Sequence, residues 1–223
     1  MIVALFDSDG TLYSAQFGRG LLSYAKTHAR RSQARLYYAS LVPELLLSKL
    51  SASGKDHFER AMIARLGWLI KGWDLQQGEA AFQWLVFDYL LATSHSPVLK
   101  RLQHHQSQGH LILIVSGMFT PALAMIGSHL GVADWVGTQI EVSGGRYTGR
   151  IIPPVIKGVD KVKHTLAYLS ERNLDIDWPA SYAYGDTFSD RDLLQLAGHP
   201  VAVYPDDRLR QLAQDKQWDI ISK

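Results

Sequence analysis

Four short apolar runs, IVALF (2–6), LILIV (111–115), YAY (182–184) and VAVY (201–204), each stop at an aspartate, serine, glycine or proline. Runs this short, without polar alternation, suit strands buried on both faces of a parallel sheet. The segments PVLKRLQHHQSQG (97–109) and VKHTLAYLSERN (162–173) repeat their apolar residues at helical spacing. Strand, helix and strand in turn define an α/β chain, and the expectation is a three-layer, Rossmann-like parallel sheet with helices on both faces.

One long stretch departs from this texture. From about Ser14 to Ser94, in FGRGLLSYAKTHA (17–29), ARLYYASLVPELLLSKL (34–50), DHFERAMIARLGWLI (56–70) and GEAAFQWLVFDYLLA (78–92), apolar residues recur at helical spacing with no strand pattern. The reading is an all-helical cap domain, residues 14–95, inserted into a core domain built from residues 1–13 and 96–223. Gly144-Gly145 within IEVSGGRYTGRI (140–151) predicts a hairpin.

Composition narrows the function classes. With 23 basic against 21 acidic residues the net charge is +2, too small and too dispersed to predict nucleic acid or an anionic membrane as a partner. There are no cysteines, so disulfides and thiolate metal sites are excluded. Met1 to Phe6 is too short for a secretory signal, and no apolar run approaches the roughly 18 residues of a membrane-spanning helix. The expectation is a soluble, cytoplasmic protein; its oligomeric state is not legible.

Polar residues gather just past the expected strands: Asp7 and Asp9 after IVALF, Ser116 after LILIV and Asp186 after YAYG. Ligands bind beyond the carboxyl ends of strands in an open parallel sheet, so these residues are expected in one crevice. Asp7, Asp9 and Asp186 offer hard oxygen ligands suited to Mg²⁺, which would relieve their mutual repulsion. Ser116 and Gly117 precede Thr120, a candidate cap, and Pro121 in a first helical turn, where backbone N–H groups favour phosphate. Taken singly, an Asp-x-Asp pair is more often a solvated turn, and Ser116 is equally well a plain turn serine.

DSDGT (7–11), Ser116 after an apolar strand, a lysine within IKGVDKV (156–162) and GDTFSD (185–190) together resemble, in order, the four motifs of haloacid dehalogenase-like phosphatases. The helical insert, SGMFT (116–120) and GRYTGRI (145–151) are similar to the subfamily that contains phosphoserine phosphatase. The resemblance implies a Mg²⁺-dependent phosphomonoester hydrolase acting on a small phosphorylated metabolite through an aspartyl-phosphate. Asp7 would be the nucleophile. Asp9 would protonate the leaving alcohol, activate water afterwards and lend the metal its backbone carbonyl. Asp186 and Asp190 would complete the metal site, with Asp190 or Ser189 alternatively capping RDLLQLAG (191–198). Thr11 and Thr187 read as support.

For the third motif both Lys157 and Lys161 fit, with a slight lean to Lys161. The other lysine is expected to be exposed and paired with Asp160. In phosphoserine phosphatases a cap glutamate meets the substrate's ammonium and an arginine its carboxylate. Gln16 falls about where that glutamate is expected, and Arg65 follows Phe58 at the spacing of the arginine; Glu44 or Glu59 would take the glutamate's place if the alignment slips. The missing charge implies that phosphoserine is not the preferred substrate. A phosphotransferase using the same residues, phosphoserine phosphatase proper, a degenerate binding module and, distantly, a sugar-nucleotide transferase are the alternatives. Asp88, inside WLVFDYLLA, reads as outward-facing or hydrogen-bonded, and His104-His105 as residues favouring a helix's negative pole.

Overall fold

The computed structural model describes residues 1–28, 31–48 and 54–222, so the ends of the first two cap patterns, at residue 29 and residues 49–50, lie outside the described residues. Among the described residues seven strands form one sheet: β1 (Val3–Phe6), β2 (Leu111–Phe119), β3 (Asp134–Ser143), β4 (Arg146–Ile152), β5 (Tyr182–Gly185), β6 (His199–Val203) and β7 (Asp219–Ile221). Their order is β4-β3-β2-β1-β5-β6-β7, and every neighbouring pair is parallel except the β3–β4 hairpin.

The central strand shows why its sequence is apolar without alternation. All four residues of β1 are fully buried, but Val3 and Leu5 point into one apolar cluster and Ala4 and Phe6 into the other. β2 divides in the same way, Leu113 and Val115 against Ile112 and Ile114. The helices α5 (Ser96–Ser107) and α6 (Thr120–Leu130) cover one face, and α7 (Val159–Glu171), α8 (Arg191–Leu194) and α9 (Asp207–Asp215) belong to the other, which makes three layers.

The insert is helical, as its spacing predicts: α1 (Phe17–Thr27), α2 (Arg31–Ser48), α3 (Gly54–Leu66) and α4 (Leu75–Gln83), followed by a π-helical turn at Trp84–Leu90. Its entry and exit run side by side, with Ser14 donating to the Thr93 carbonyl at 3.0 Å and His95 to that of Leu12 at 2.9 Å. The insert also shares one continuous apolar cluster with the sheet, from Phe6 and Ile114 through Phe17 and Leu21 to Leu85. It leans on the hairpin too, where Tyr147 exchanges backbone hydrogen bonds with Gly72 and Trp73 at 2.8 and 2.9 Å.

Candidate active site

Asp7 lies just beyond β1 and is almost fully buried. The loop after it turns back tightly: Leu12 and Tyr13 both donate to the Ser8 carbonyl, at 2.9 and 3.2 Å. Gly10 holds φ at 84°, and a β-carbon there would sit 1.9 Å from Asp186 Oδ2. Both the left-handed backbone and the close approach of Asp186 therefore require glycine. The same loop that positions Asp7 is thus shaped to admit a second carboxylate from the end of β5.

Lys161 Nζ bridges Asp7 Oδ1 at 2.5 Å and Asp190 Oδ1 at 2.7 Å, with all three side chains buried. Burial opposes the charge on Lys161, but Asp190 and Asp7 more than reverse this and hold its ammonium above its ordinary value. Burial likewise opposes ionisation of Asp190, yet Lys161 holds it below the usual carboxylate range. Asp7 is pushed up by burial against the pull of Lys161. Asp186 makes no ion pair among the described residues, and burial, then Asp7 and Asp190, push it up to about 9. Carboxylate oxygens of Asp7, Asp186 and Asp190 lie within 4.8 Å of one another. Three hard oxygens around one ammonium leave a surplus of negative charge, which fits an oxygen-coordinated divalent cation.

Asp9 has a separate role. Its Oδ2 accepts the Phe17 N–H at 2.9 Å, at the head of α1, while its Oδ1 is buried with no hydrogen-bond partner. Burial, then the Asp7 charge, push this carboxyl up to about 7. Thr11 donates to Asp7 Oδ2 at 3.2 Å, and Ser116 Oγ meets Ser8 Oγ at 2.8 Å and accepts the Met118 N–H at 3.2 Å. Ser116 lies inside β2, not after it as the sequence suggested, at a break in the β2–β3 register between Val115 and Phe119. Thr120 is the first residue of α6, not its cap; Phe119 stands at the cap position without a side-chain bond.

Most of the expected residues meet in one cleft of about 530 Å³, the size of a small-molecule site. Asp7, Asp9, Gln16, Ser116, Gly117, Lys157, Lys161, Asp186 and Asp190 all line it. The two lysines separate cleanly. α7 starts at Val159 after Gly158, whose φ is 55°, so Lys157 lies outside the helix. It pairs with Glu59 at 2.8 Å and donates to Ser189 at 3.1 Å, while the expected partner Asp160 binds Arg60 instead at 2.6 Å. Asp190 stands at the cap position of α8 but makes no side-chain bond to that helix; its carboxylate instead accepts the Thr187 N–H at 3.2 Å, in a capping box headed by Thr187, and faces Lys161.

Arg65 does not line the cleft. Its guanidinium donates to Glu44 at 2.6 Å, a carboxylate that also meets His57 at 2.9 Å. Asp88 is exposed and away from the cleft; His104 and His105 do lie in the last turn of α5, but His105 is buried against Tyr184 and held neutral by that burial. Sequence reading missed Ser8 and Arg60. Arg60, on α3, donates to Asp56 at 2.7 Å and reaches the core at the Val155 and Lys157 carbonyls, 3.2 and 2.7 Å away. Its position one turn after Asp56 was the only local signal.

A parallel sheet that presents a buried aspartate, a lysine and a carboxylate trio at the strand ends under a helical cap defines a hydrolase of the phosphatase class. A model of the haloacid dehalogenase-like hydrolase family matches residues 4–195, and the chain belongs to that family. Among its relatives, a phosphoserine phosphatase of Mycobacterium tuberculosis is 29% identical over 97% of this chain and 69% of its own length. A histidinol-phosphatase of Neisseria meningitidis is 32% identical over 57% of this chain and 59% of its own. A Bordetella pertussis protein of unknown function shares the fold with a TM-score of 0.84 at 24% identity, covering 99% of this chain and 97% of that one. A substrate-bound phosphoserine phosphatase superposes with a TM-score of 0.67 at 19% identity, covering 100% and 93%.

Proposed function

We propose that this chain is a Mg²⁺-dependent phosphomonoester hydrolase working through an aspartyl-phosphate on Asp7, with residues 14–95 as the cap over a core of 1–13 and 96–223. The observation that carries the reading is Asp9: a buried carboxyl with one oxygen fixed by Phe17 and the other unpartnered, in the cleft beside Asp7. Asp7 attacks phosphorus, the bond from phosphorus to the ester oxygen breaks, and Asp9 delivers its proton to the leaving alcohol. Asp9 then takes a proton from water, whose oxygen attacks phosphorus and frees Asp7 and inorganic phosphate. Lys161 sets the nucleophile against Asp190, and Ser116 with the Gly117 backbone receives phosphate oxygens. Asp7, Asp186 and Asp190, with the Asp9 carbonyl, would hold Mg²⁺, which when bound supplies positive charge against the phosphate and the nucleophile.

The alcohol is proposed to be apolar and without an ammonium group. Gln16 supplies no charge, and the carboxylates that could replace it are occupied, Glu44 by Arg65 and His57 and Glu59 by Lys157. The cleft wall on the cap side is Phe17, Leu22, Tyr37, Met62, Ile63 and Leu66. The protein is expected to act in the cytoplasm. Phosphate release from a panel of monoesters, with and without an acceptor alcohol, tests the reading. Higher kcat/KM for alkyl phosphates than for phosphoserine is expected. A preference for phosphoserine that Gln16→Ala leaves untouched would overturn the substrate assignment, and transfer to the acceptor in place of hydrolysis would make the protein a phosphotransferase.

A further inference from the structure

We propose that α2 is a docking element for an anionic lipid surface, which brings the protein to membranes peripherally. The starting observation is an apolar face that none of the described residues covers. Leu36, Tyr38, Val42, Leu45, Leu46 and Leu47 are 63, 49, 54, 45, 60 and 56% exposed. They are six of the fourteen large hydrophobic residues exposed among the described residues, and they share one helix of 18 residues. The other eight are scattered over the rest of the chain.

This face is not the core side of α2 turned outward. Ala34, Tyr37 and Leu41 are the buried residues of the helix and join the apolar cluster, with Tyr37 also lining the cleft. On a helical wheel the six exposed residues fall on the remaining arc. α2 is therefore apolar nearly all round, a pattern at home where both sides of a helix are covered. One side is covered by the protein itself.

Charge selects the occupant of the other side. From Lys26 to Lys55 the sequence holds six basic residues, Lys26, Arg30, Arg31, Arg35, Lys49 and Lys55, against a single acidic one, Glu44. Glu44 faces inward, 2.6 Å from Arg65 and 2.9 Å from His57. Lys26 and Arg35 are exposed, and Lys26 stands 5.2 Å over the ring of the exposed Tyr38. A bare apolar face with the exposed cations Lys26 and Arg35 beside it, in a segment rich in basic residues and with its one carboxylate withdrawn, is complementary to a negatively charged bilayer surface. Two copies of this face would set its cations against their like, which disfavours self-pairing. The low net charge of the whole chain conceals this, because the acidic residues that balance it lie elsewhere.

No described helix is long and apolar enough to cross a membrane, so contact would be by the surface of α2 alone. The inference is independent of the catalytic reading, since none of the six exposed residues lines the cleft.

Co-sedimentation of the full chain with vesicles tests it, using phosphatidylcholine alone or mixed with phosphatidylglycerol, at low and high salt. Binding to the anionic vesicles is expected to exceed that to neutral ones by roughly tenfold or more and to weaken with salt. The triple variant Leu36→Ser, Leu46→Ser, Leu47→Ser should lose that binding while keeping its thermal midpoint, because these side chains are outside the core. Arg35→Glu combined with Lys26→Glu should abolish the preference for anionic lipid. Absence of wild-type binding, or equal binding to both vesicle types, would overturn the proposal. So would a stable dimer that the triple serine variant dissociates, since a second copy would then be the occupant.

Discussion

Asp9 Oδ2 accepts the backbone N–H of Phe17 at 2.9 Å, joining the carboxyl two residues from Asp7 to the first residue of the first helix of the insert. The bond fixes the carboxyl and leaves its other oxygen buried without a hydrogen-bond partner, in a residue that lines the cleft. Asn in this position can still accept the Phe17 N–H but has no proton to give. Asp9→Asn is therefore expected to fold normally and to lose activity unequally, by about 10²-fold or more with alkyl phosphates and less with aryl phosphates. An equal loss across leaving groups, measured by phosphate release, would assign Asp9 a structural role instead.

Three carboxylates lie within 4.8 Å of one another and one ammonium pairs with only two of them, Asp7 and Asp190, so without a cation the site is strained by like charge. Asp186, which makes no ion pair among the described residues, is the carboxylate whose neutralisation should help. In chelator, Asp186→Asn is expected to stabilise the fold by about 1 kcal/mol, seen as a midpoint roughly 2–4 °C higher. Mg²⁺ should raise the wild-type midpoint and leave the variant nearly unchanged. Activity should vanish in chelator, return with Mg²⁺ and return poorly with Ca²⁺, whose looser coordination misplaces the reacting groups. Full activity in excess chelator would exclude the metal.

Arg60 ties α3 to the strand-to-helix connection that leads to Lys161, through the Val155 and Lys157 carbonyls and the Asp160 carboxylate. Arg60→Ala should lower kcat/KM at least tenfold, about 1.4 kcal/mol, and speed proteolysis of the insert. Arg60→Lys should rescue little, because an ammonium cannot reproduce the planar fork. Wild-type kinetics in both variants would leave Arg60 without a positioning role.

His105 is 2% exposed, with Nε2 2.8 Å from the Tyr184 hydroxyl and Nδ1 2.9 Å from His110 Nδ1. Burial, then the neighbouring His110, His104 and Arg101, pull it down to about 4. The neutral ring is thus favoured in the fold, while the unfolded chain takes up a proton near pH 6.5. The stabilisation that His105 contributes should be full above that pH, fall between about 6.5 and 4, and level off below, by up to about 3 kcal/mol. Denaturant titrations of the wild type and His105→Phe across this range should therefore diverge by that amount as the pH falls, and a constant difference between them would remove His105 from the account.

The sequence carried the sheet core because β1 and β2 are short and apolar on both faces, which few alternatives accommodate. β7 and the first half of β3 were not legible. DII is too short to show a period, and in DWVGTQ the alternation begins only at Val136 and is carried by the small polar Thr138, which gives no hydrophobic signal. The loop from Asp7 to Thr11 was legible because its glycine and its carboxylates answer local demands. The choice between Lys157 and Lys161 was not, since it turns on where α7 begins, and Gly158 starts the helix after Lys157. Arg65 has the right spacing for the cleft, but Glu44, from a different helix, competes for it. Arg60 was invisible for the same reason: its core partners are 95 to 100 residues away.

The central claim is that Asp7 carries the phosphoryl group, and Asp9→Asn makes this directly measurable. With an aryl phosphate the first step needs little acid assistance, whereas the second still needs a base to activate water. Acid-quenched Asp9→Asn protein, mapped by peptide mass spectrometry, is expected to show a phosphoryl group on Asp7 together with a burst of about one equivalent of aryl alcohol. A phosphoryl group on any other residue, or steady release of the alcohol from the outset with Asp7 unmodified, would contradict the account.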